Sequence, residues 1–306
     1  MRVVLIVAAV LMFGCIRGAV DHQSHDVFSS PATAFYASAQ DGKSILYAGY
    51  GYDLSVVDAF VFDLEEVTVT AQKQFDVNGI KAICEGRDGI VLSRPENAQI
   101  ISYRSGLLSI QNSATSCAGL PSKAGCKDDS TLFNGLLPGQ TEALLICQNA
   151  NNRKMIFDLI YPDGSRRDLG AAGAPPGGSG RFVITRGSRP GTFLAHHTRS
   201  AITESAVLID VIEGTVAPFD LPDLSEARPS RGFGAGNFGV ILHPIEEGII
   251  AEGEGGGVFL LRGGNTQLLT EDVVAQSVRI GPDGCSVMLL ARTVTGREFQ
   301  IYEVCN

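Results

Sequence analysis

The chain contains no tryptophan and none of the short motifs that would identify a reaction. Its 306 residues include no Gly-x-Ser-x-Gly nucleophile elbow, no P-loop and no His-Glu-x-x-His metalloprotease motif. A Ser–His–Asp triad can form from residues that are distant in sequence and would leave no such motif. The absent motifs therefore exclude the enzyme classes that they define, but they do not exclude every hydrolase. The sequence therefore predicts no particular reaction and no cofactor.

Basic residues and long apolar runs are also scarce. The chain has 24 Lys and Arg against 33 Asp and Glu, which gives a formal net charge of −9. Because an acidic protein repels phosphate backbones, we expect no nucleic-acid partner. After the N-terminus, no apolar run is long enough to span a bilayer, and we expect no transmembrane span in the mature chain.

The N-terminus has the pattern of an export signal. Met1-Arg2 precedes an unbroken apolar run from Val3 to Phe13, which is too short for a membrane-spanning helix. We interpret residues 1–18 as a signal peptide cleaved near Gly18 or Ala19. The alternative is a bacterial lipobox, Met12-Phe13-Gly14-Cys15, whose Cys15 would carry a lipid anchor. Both predict a secreted, periplasmic or cell-surface protein.

Six glycine-containing turns recur along the chain, each followed by an apolar run. The intervals between their glycines lie between 36 and 57 residues, and such a period indicates a repeat architecture. The turns are Gln40-Asp41-Gly42, Arg87-Asp88-Gly89, Pro138-Gly139-Gln140, Arg189-Pro190-Gly191, Glu246-Glu247-Gly248 and Pro282-Asp283-Gly284.

Short strand patterns surround each turn, at about four to a repeat. Four antiparallel strands repeated six times predict an all-β fold, a β-propeller of six four-stranded blades, with five or seven blades as alternatives. The last repeat shows only three strands before the chain ends. We therefore expect an N-terminal strand near Asp26–Ser29 to close the ring, with residues 19–33 as the N-terminal segment and 34–306 as the propeller domain.

Three segments of the sequence resemble the blades of TolB-like and WD-repeat-like propellers. They are Gly281-Pro282-Asp283-Gly284 with the strands after it, Gln40 to Tyr47, and Tyr161-Pro162-Asp163-Gly164. The resemblance is generic, covers about 270 residues, and implies the propeller fold without an activity. The Trp-Asp dipeptide of WD repeats is absent, since the chain has no tryptophan.

Six of the seven cysteines remain after Cys15 is removed or acylated, and an even number in an exported chain predicts disulfides. Cys285 and Cys305 are equidistant from Thr295, so a hairpin centred there would place them opposite each other. For the others we predict Cys117–Cys126 by proximity and Cys84–Cys147 by elimination, with 84–117 and 126–147 as the alternative. No close Cys-x-x-Cys pair predicts a metal site.

The adjacent pair His196-His197 is the most conspicuous polar feature on an apolar strand. Neighbouring residues on a strand point to opposite faces, so the two cannot line one site. Each is a weak candidate for catalysis or ligand binding. The alternative is a histidine that packs between blades and has a hydrogen-bond partner there.

The fold prediction does not select a function, because function depends on sites that differ among proteins of one fold. We favour a non-catalytic exported module that binds a protein partner on one flat face, and we expect the chain to be a monomer. One alternative is a hydrolase or lyase with its site at the channel mouth. The other is a small-molecule or glycan binder, which the lack of tryptophan disfavours.

Overall fold

A computed structural model describes most of the chain. The described residues are 22–26, 34–40, 43–50, 55–66, 68–117, 126, 130–149, 151–173, 181–199, 202–224, 240–253, 257–271, 273, 277–281, 284–292 and 297–305. The predicted signal peptide, Cys15 of the alternative lipobox and residues 27–33 of the predicted N-terminal segment lie outside them.

The described residues form 24 strands in six four-stranded antiparallel sheets, which confirms the prediction of six blades. The first strand is β1 (His22–Asp26). Blade 1 contains β2 (Ala34–Gln40), β3 (Ser44–Tyr50), β4 (Val56–Asp63) and β5 (Thr68–Asp76). Blade 2 contains β6 (Ala82–Gly86), β7 (Gly89–Ser93), β8 (Ala98–Arg104) and β9 (Leu107–Ser113). Blade 3 contains β10 (Ser130–Leu136), β11 (Ala143–Gln148), β12 (Met155–Ile160) and β13 (Arg166–Ala172).

The second half of the ring repeats this order. Blade 4 contains β14 (Arg181–Arg186), β15 (Thr192–Arg199), β16 (Ile202–Asp210) and β17 (Thr215–Phe219). Blade 5 contains β18 (Ile241–Ile245), β19 (Gly248–Glu252), β20 (Val258–Arg262) and β21 (Asn265–Thr270). Blade 6 contains β22 (Arg279–Ile280), β23 (Ser286–Arg292) and β24 (Arg297–Glu303), with β1 as its fourth strand.

The ring closes through the N-terminal strand, as the incomplete last repeat predicts. β1 pairs antiparallel with β24, from His22 opposite Tyr302 to Asp26 opposite Glu298. The strand therefore begins four residues before the predicted Asp26–Ser29 segment. The predicted segment contains the apolar pair Val27-Phe28, whereas the observed outer strand is polar throughout.

The hydrophobic core is divided among the boundaries between blades. The second strands are buried along nearly their whole length, as in β7 and β11, because each blade packs against a neighbour on both faces. Blades 6 and 1 meet through aromatic rings, with Phe62 stacked on Phe299 at 3.7 Å between centroids and Tyr47 edge-on to Phe299 at 6.0 Å. Ring closure thus depends on side-chain packing as well as on the pairing of β1.

Candidate functional site: blade boundaries and the hairpin-turn face

All six glycine turns connect the first and second strands of a blade, so they surround the same mouth of the central channel. Strands alternate in direction within a blade, and the turns between third and fourth strands therefore lie on the same side. We call this side the hairpin-turn face. Gly139, Gly191 and Gly284 have φ values of 70°, 74° and 71°, which explains why glycine recurs there.

Contacts between blades cross this mouth of the channel. Arg186, at the end of β14, forms an ion pair with Glu85 on β6, and so joins blade 4 to blade 2 across blade 3. The Gly139 N–H of blade 3 donates to the Glu85 carbonyl at 3.4 Å. On the opposite side, the Glu246 N–H donates to the Gly284 carbonyl at 3.4 Å, which joins the turns of blades 5 and 6.

His196 lies in the boundary between blades 4 and 5 and is fully buried. Its Nε2 accepts a hydrogen bond from the Leu242 N–H of β18 at 3.4 Å, and Thr185 Oγ1 donates to the Leu242 carbonyl at 2.6 Å. These side chains bind the open edge of the first strand of blade 5. Burial, with a smaller contribution from nearby His243, lowers the pKa of His196 from 6.5 to about 3.

His197 points to the other side of the same strand, as strand geometry predicts. Its ring lies 5.2 Å from that of Phe182, on the face of blade 4 that packs against blade 3. The structure therefore separates the two histidines into different blade boundaries. His197 is 3% exposed, and catalysis by either histidine stays a prediction that would require access to a buried ring.

A buried polar pair in blade 5 carries no motif that sequence reasoning could recognise. His243 Nε2 lies 3.3 Å from Glu252 Oε2, and both side chains are buried. Ile245 and Ile250, which follow the same strand faces, pack in the cluster shared with blade 6. In the sequence, the pair is visible only as one polar residue in each of two apolar strands. A polar residue at that place in a strand is equally compatible with an exposed side chain at the end of the strand.

The cysteines form three disulfides, of which Cys285–Cys305 was predicted and is confirmed, with 5.1 Å between the Cα atoms. The predicted pairs Cys117–Cys126 and Cys84–Cys147 are wrong. The structure instead joins Cys84 to Cys117 and Cys126 to Cys147, the alternative that the spacing left open. Each bond fastens one end of the connector between blades 2 and 3 to the blade beside it.

The boundary between blades 2 and 3 differs from the others in composition. The face of blade 3 there carries a small apolar cluster that includes Cys147 and Cys126. Beside it, Asp158 is buried and pairs with Arg166 at 2.5 Å, and Arg166 Nη2 also approaches the Cys147 sulfur at 3.9 Å. This boundary therefore contains two disulfides and an ion pair, whereas the other boundaries contain larger apolar clusters.

Glu246 is the one described acidic side chain that meets two cysteines. Its carboxylate and the sulfurs of Cys285 and Cys305 lie within 4.8 Å of one another. Both sulfurs are joined in a disulfide and offer no thiolate, so this group is not arranged to hold a metal ion.

Two exposed apolar side chains lie on the hairpin-turn face. Leu107, at the turn between β8 and β9 of blade 2, is 71% exposed. Ile212, between β16 and β17 of blade 4, is 68% exposed. The third large exposed apolar residue of the described chain, Leu268, is 44% exposed and lies on the outer strand of blade 5. The first two occupy equivalent hairpins of alternate blades and flank the outer hairpin of blade 3.

No protein-family model matches this chain, and a comparison with curated proteins finds no significant relative. Its fold is similar to Kuenenia stuttgartiensis hydrazine synthase, at 12% identity and TM-score 0.46, covering 92% of this chain and 100% of that one. The β-propeller domain of the Trilobed protease from Pyrococcus furiosus is 12% identical at TM-score 0.34, with 88% and 79% covered. An oligogalacturonate lyase in complex with manganese is 10% identical at TM-score 0.33, with 90% and 67% covered. At these values the similarities carry no argument about function.

Among the described residues, no helix is long and apolar enough to cross a membrane.

Proposed function

We propose that this chain is an exported, non-catalytic β-propeller that binds a protein partner through the hairpin-turn face of blades 2 to 4. The observation that carries the proposal is the exposure of Leu107 and Ile212 on equivalent hairpins of that face. Exposed apolar side chains on a regular scaffold gain free energy when a partner covers them.

The spacing of these two residues favours a macromolecular partner. They lie in blades 2 and 4, with a whole blade between them, so one small molecule would not cover both. Charged side chains surround them, including Arg104, which is 68% exposed, and Arg189, which is 71% exposed. Each of the two exposed apolar side chains thus has a charged side chain near it, and protein interfaces combine apolar and charged groups in this way.

The buried polar groups support a binding role over a catalytic one. His196 binds the edge of blade 5, and His243 pairs with Glu252 inside the ring. Arg186 and Glu85 join blades 2 and 4 across the channel mouth. These groups hold the blades in place, whereas a catalytic group must reach a substrate.

Three disulfides support export, because such bonds persist in oxidising compartments. We propose that the signal at residues 1–18 directs the chain to the periplasm, the cell surface or the medium. Cleavage near Gly18 or Ala19 would release a free protein, and processing at Cys15 would leave a lipid-anchored one. Mass spectrometry of the mature N-terminus distinguishes a free residue from an acylated cysteine.

The binding proposal is tested by crosslinking and mass spectrometry in the exported fraction of the native host. Leu107→Asp combined with Ile212→Asp should abolish a crosslinked partner that the unchanged protein retains. Leu268→Asp is the control, since it makes the same kind of substitution at another exposed apolar residue, on the outer strand of blade 5. A partner that survives the double substitution, or one lost equally in the control, would remove the proposed face.

A further inference from the structure

The fourth strand of each blade lies at the rim of the ring, with one edge unpaired among the described strands. Such an edge presents N–H and C=O groups that another chain could pair with. Proteins protect exposed edges with charges, prolines or β-bulges, each of which interferes with a further strand.

Five of the six outer strands carry such protection. β1 contains Asp26, β5 contains Lys73 and Asp76, and β13 contains three charged residues. β17 contains Pro218, and the pairing of β21 is interrupted by a register shift between Val258 and Phe259. β9, with sequence LLSIQNS, has no charged residue and no proline, and its seven residues pair with β8 without a bulge.

The geometry of β9 fixes which backbone groups face outward. Ser105 and Gly106 form its turn with φ values of 51° and 79°, as in a type I′ hairpin. The flanking residues Arg104 and Leu107 then exchange both hydrogen bonds, and bonding alternates along the strand. Leu108, Ile110 and Asn112 therefore direct their N–H and C=O groups away from β8.

The other end of β9 is also held. Ser113 Oγ accepts from the Thr115 N–H at 3.0 Å in the turn that follows the strand. Two residues later, Cys117 is joined to Cys84 of the first strand of the blade. The edge is therefore ordered before any partner arrives, which reduces the entropy lost on pairing.

We propose that β9 pairs antiparallel with β9 of a second copy of this chain, about a two-fold axis through Ile110. In that register Ile110 lies opposite Ile110 of the second copy, and Leu108 lies opposite Asn112 of the second copy. The outward N–H and C=O groups of the two strands therefore face each other. The three residue pairs that exchange bonds supply about six main-chain hydrogen bonds. The two sheets become one continuous sheet of eight strands.

The absence of charge on β9 makes this edge the place where a second copy can pair without repulsion. The whole chain carries a net charge of −9, and two copies repel each other wherever acidic surfaces meet. β9 is an uncharged outer strand, so a symmetric pairing there places no charge opposite its own copy. Because a stable interface buries about 1,200 Å² or more and seven residues supply less, the dimer should be reversible and depend on concentration.

This inference does not rest on the proposed partner binding, and its test needs only the purified mature protein. Sedimentation velocity over a concentration series should show a monomer that becomes a dimer. Asn112→Pro removes one outward N–H and leaves the pairing with β8 intact, since proline is tolerated where an edge N–H faces solvent. Its dimer dissociation constant should rise at least about tenfold, which corresponds to 1.4 kcal/mol.

Asn112→Thr is the matched control, because it changes the same side chain and keeps the N–H group. Equal dissociation constants in the two variants, or a wild-type protein that stays monomeric up to about 1 mM, would overturn the proposal.

A covalent test does not depend on the folding of the proline variant. In the proposed register, Ser109 lies opposite Gln111 of the other copy as a pair that exchanges no hydrogen bonds, with Cα atoms about 4.5 Å apart. A disulfide accepts that separation. Ser109→Cys with Gln111→Cys should give a covalent dimer on oxidation, whereas Gln111→Cys alone should not. Equal crosslinking in both would contradict the register.

Discussion

Arg186 and Glu85 form an ion pair although a whole blade separates their strands. The Glu85 side chain is 7% exposed and that of Arg186 is 46% exposed, so the carboxylate depends on this partner more than the guanidinium does. This pair is a direct connection between blades 2 and 4, which are not neighbours in the ring.

Glu85→Gln should destabilise the protein by about 1–2 kcal/mol, because the guanidinium loses a charged acceptor but remains partly in water. The free energy of unfolding in urea measures this loss. Lys43→Gln is the control, since Lys43 and Glu65 also form an ion pair. Their N–O distance is 2.9 Å, and their side chains are 65% and 68% exposed. That change should cost less than about 0.5 kcal/mol. Similar losses in both variants would contradict the role assigned to Glu85.

Gly139→Ala should be more damaging than the same change at Gly164. Both glycines have positive φ, 70° and 83°, so alanine is strained at either position by about 1–2 kcal/mol. A Cβ at Gly139 would also overlap the Arg186 guanidinium, whereas one at Gly164 would meet nothing within 4 Å. We expect an additional loss of about 1–3 kcal/mol at Gly139, measured by urea unfolding. Equal losses would show that Arg186 moves aside freely.

The buried imidazole of His196 should make the stability of the propeller depend on pH. Its pKa is near 6.5 in the unfolded chain and about 3 in the folded protein, so the unfolded state binds more protons between these values. The contribution of this group to the free energy of unfolding is therefore fully present above pH 6.5, and it decreases as the pH falls towards 3. At pH 5 the loss is about 2 kcal/mol.

The difference in unfolding free energy between wild type and His196→Gln isolates this group from the other titrating residues. Glutamine retains an acceptor for the Leu242 N–H and does not titrate. The wild-type advantage should therefore decrease between pH 7 and pH 4. A difference that is constant over this range would show that water reaches the ring.

Removing the Cys285–Cys305 disulfide should loosen the last blade. The bond closes a loop with a sequence separation of 20 residues, and its loss as Cys285→Ser with Cys305→Ser should cost about 3 kcal/mol. Hydrogen exchange should accelerate most in β24 and in β1, which pairs with it. The double Cys126→Ser, Cys147→Ser variant is the control, and it should leave exchange in β1 and β24 unchanged. Uniform acceleration in both variants would mean that the ring unfolds as one unit.

The sequence predicted the features that depend on local pattern. Three of the six glycine turns contain a glycine with φ between 70° and 74°. The hairpin predicted around Thr295 identified the Cys285–Cys305 bond, although the observed register pairs Ser286 with Glu303 and is therefore centred half a residue earlier. The pairing of Cys84 depends instead on where the connector after β9 enters the boundary between two blades. Distance along the chain favoured Cys117–Cys126, whereas packing brings Cys117 against Val91, with 3.4 Å between its sulfur and the Val91 carbonyl.

The buried contacts were predictable in part. Strand alternation placed His196 and His197 on opposite faces, and each face is indeed in a different boundary. The contact of His196 with Leu242 joins residues 46 apart in sequence, and that of Arg186 with Glu85 joins residues 101 apart. Such distances are set by the diameter and stagger of the closed ring, which a repeat pattern does not specify.

The boundary between blades 2 and 3 has a consequence for how the chain matures. Its two disulfides cannot form while the cytosolic thiol pool keeps cysteines reduced. We therefore expect the newly made chain to be held together more weakly there than at its five other boundaries. An incompletely locked ring is easier to unfold for passage through an export channel. Under the export that we propose, these two disulfides would form only after the chain reaches an oxidising compartment.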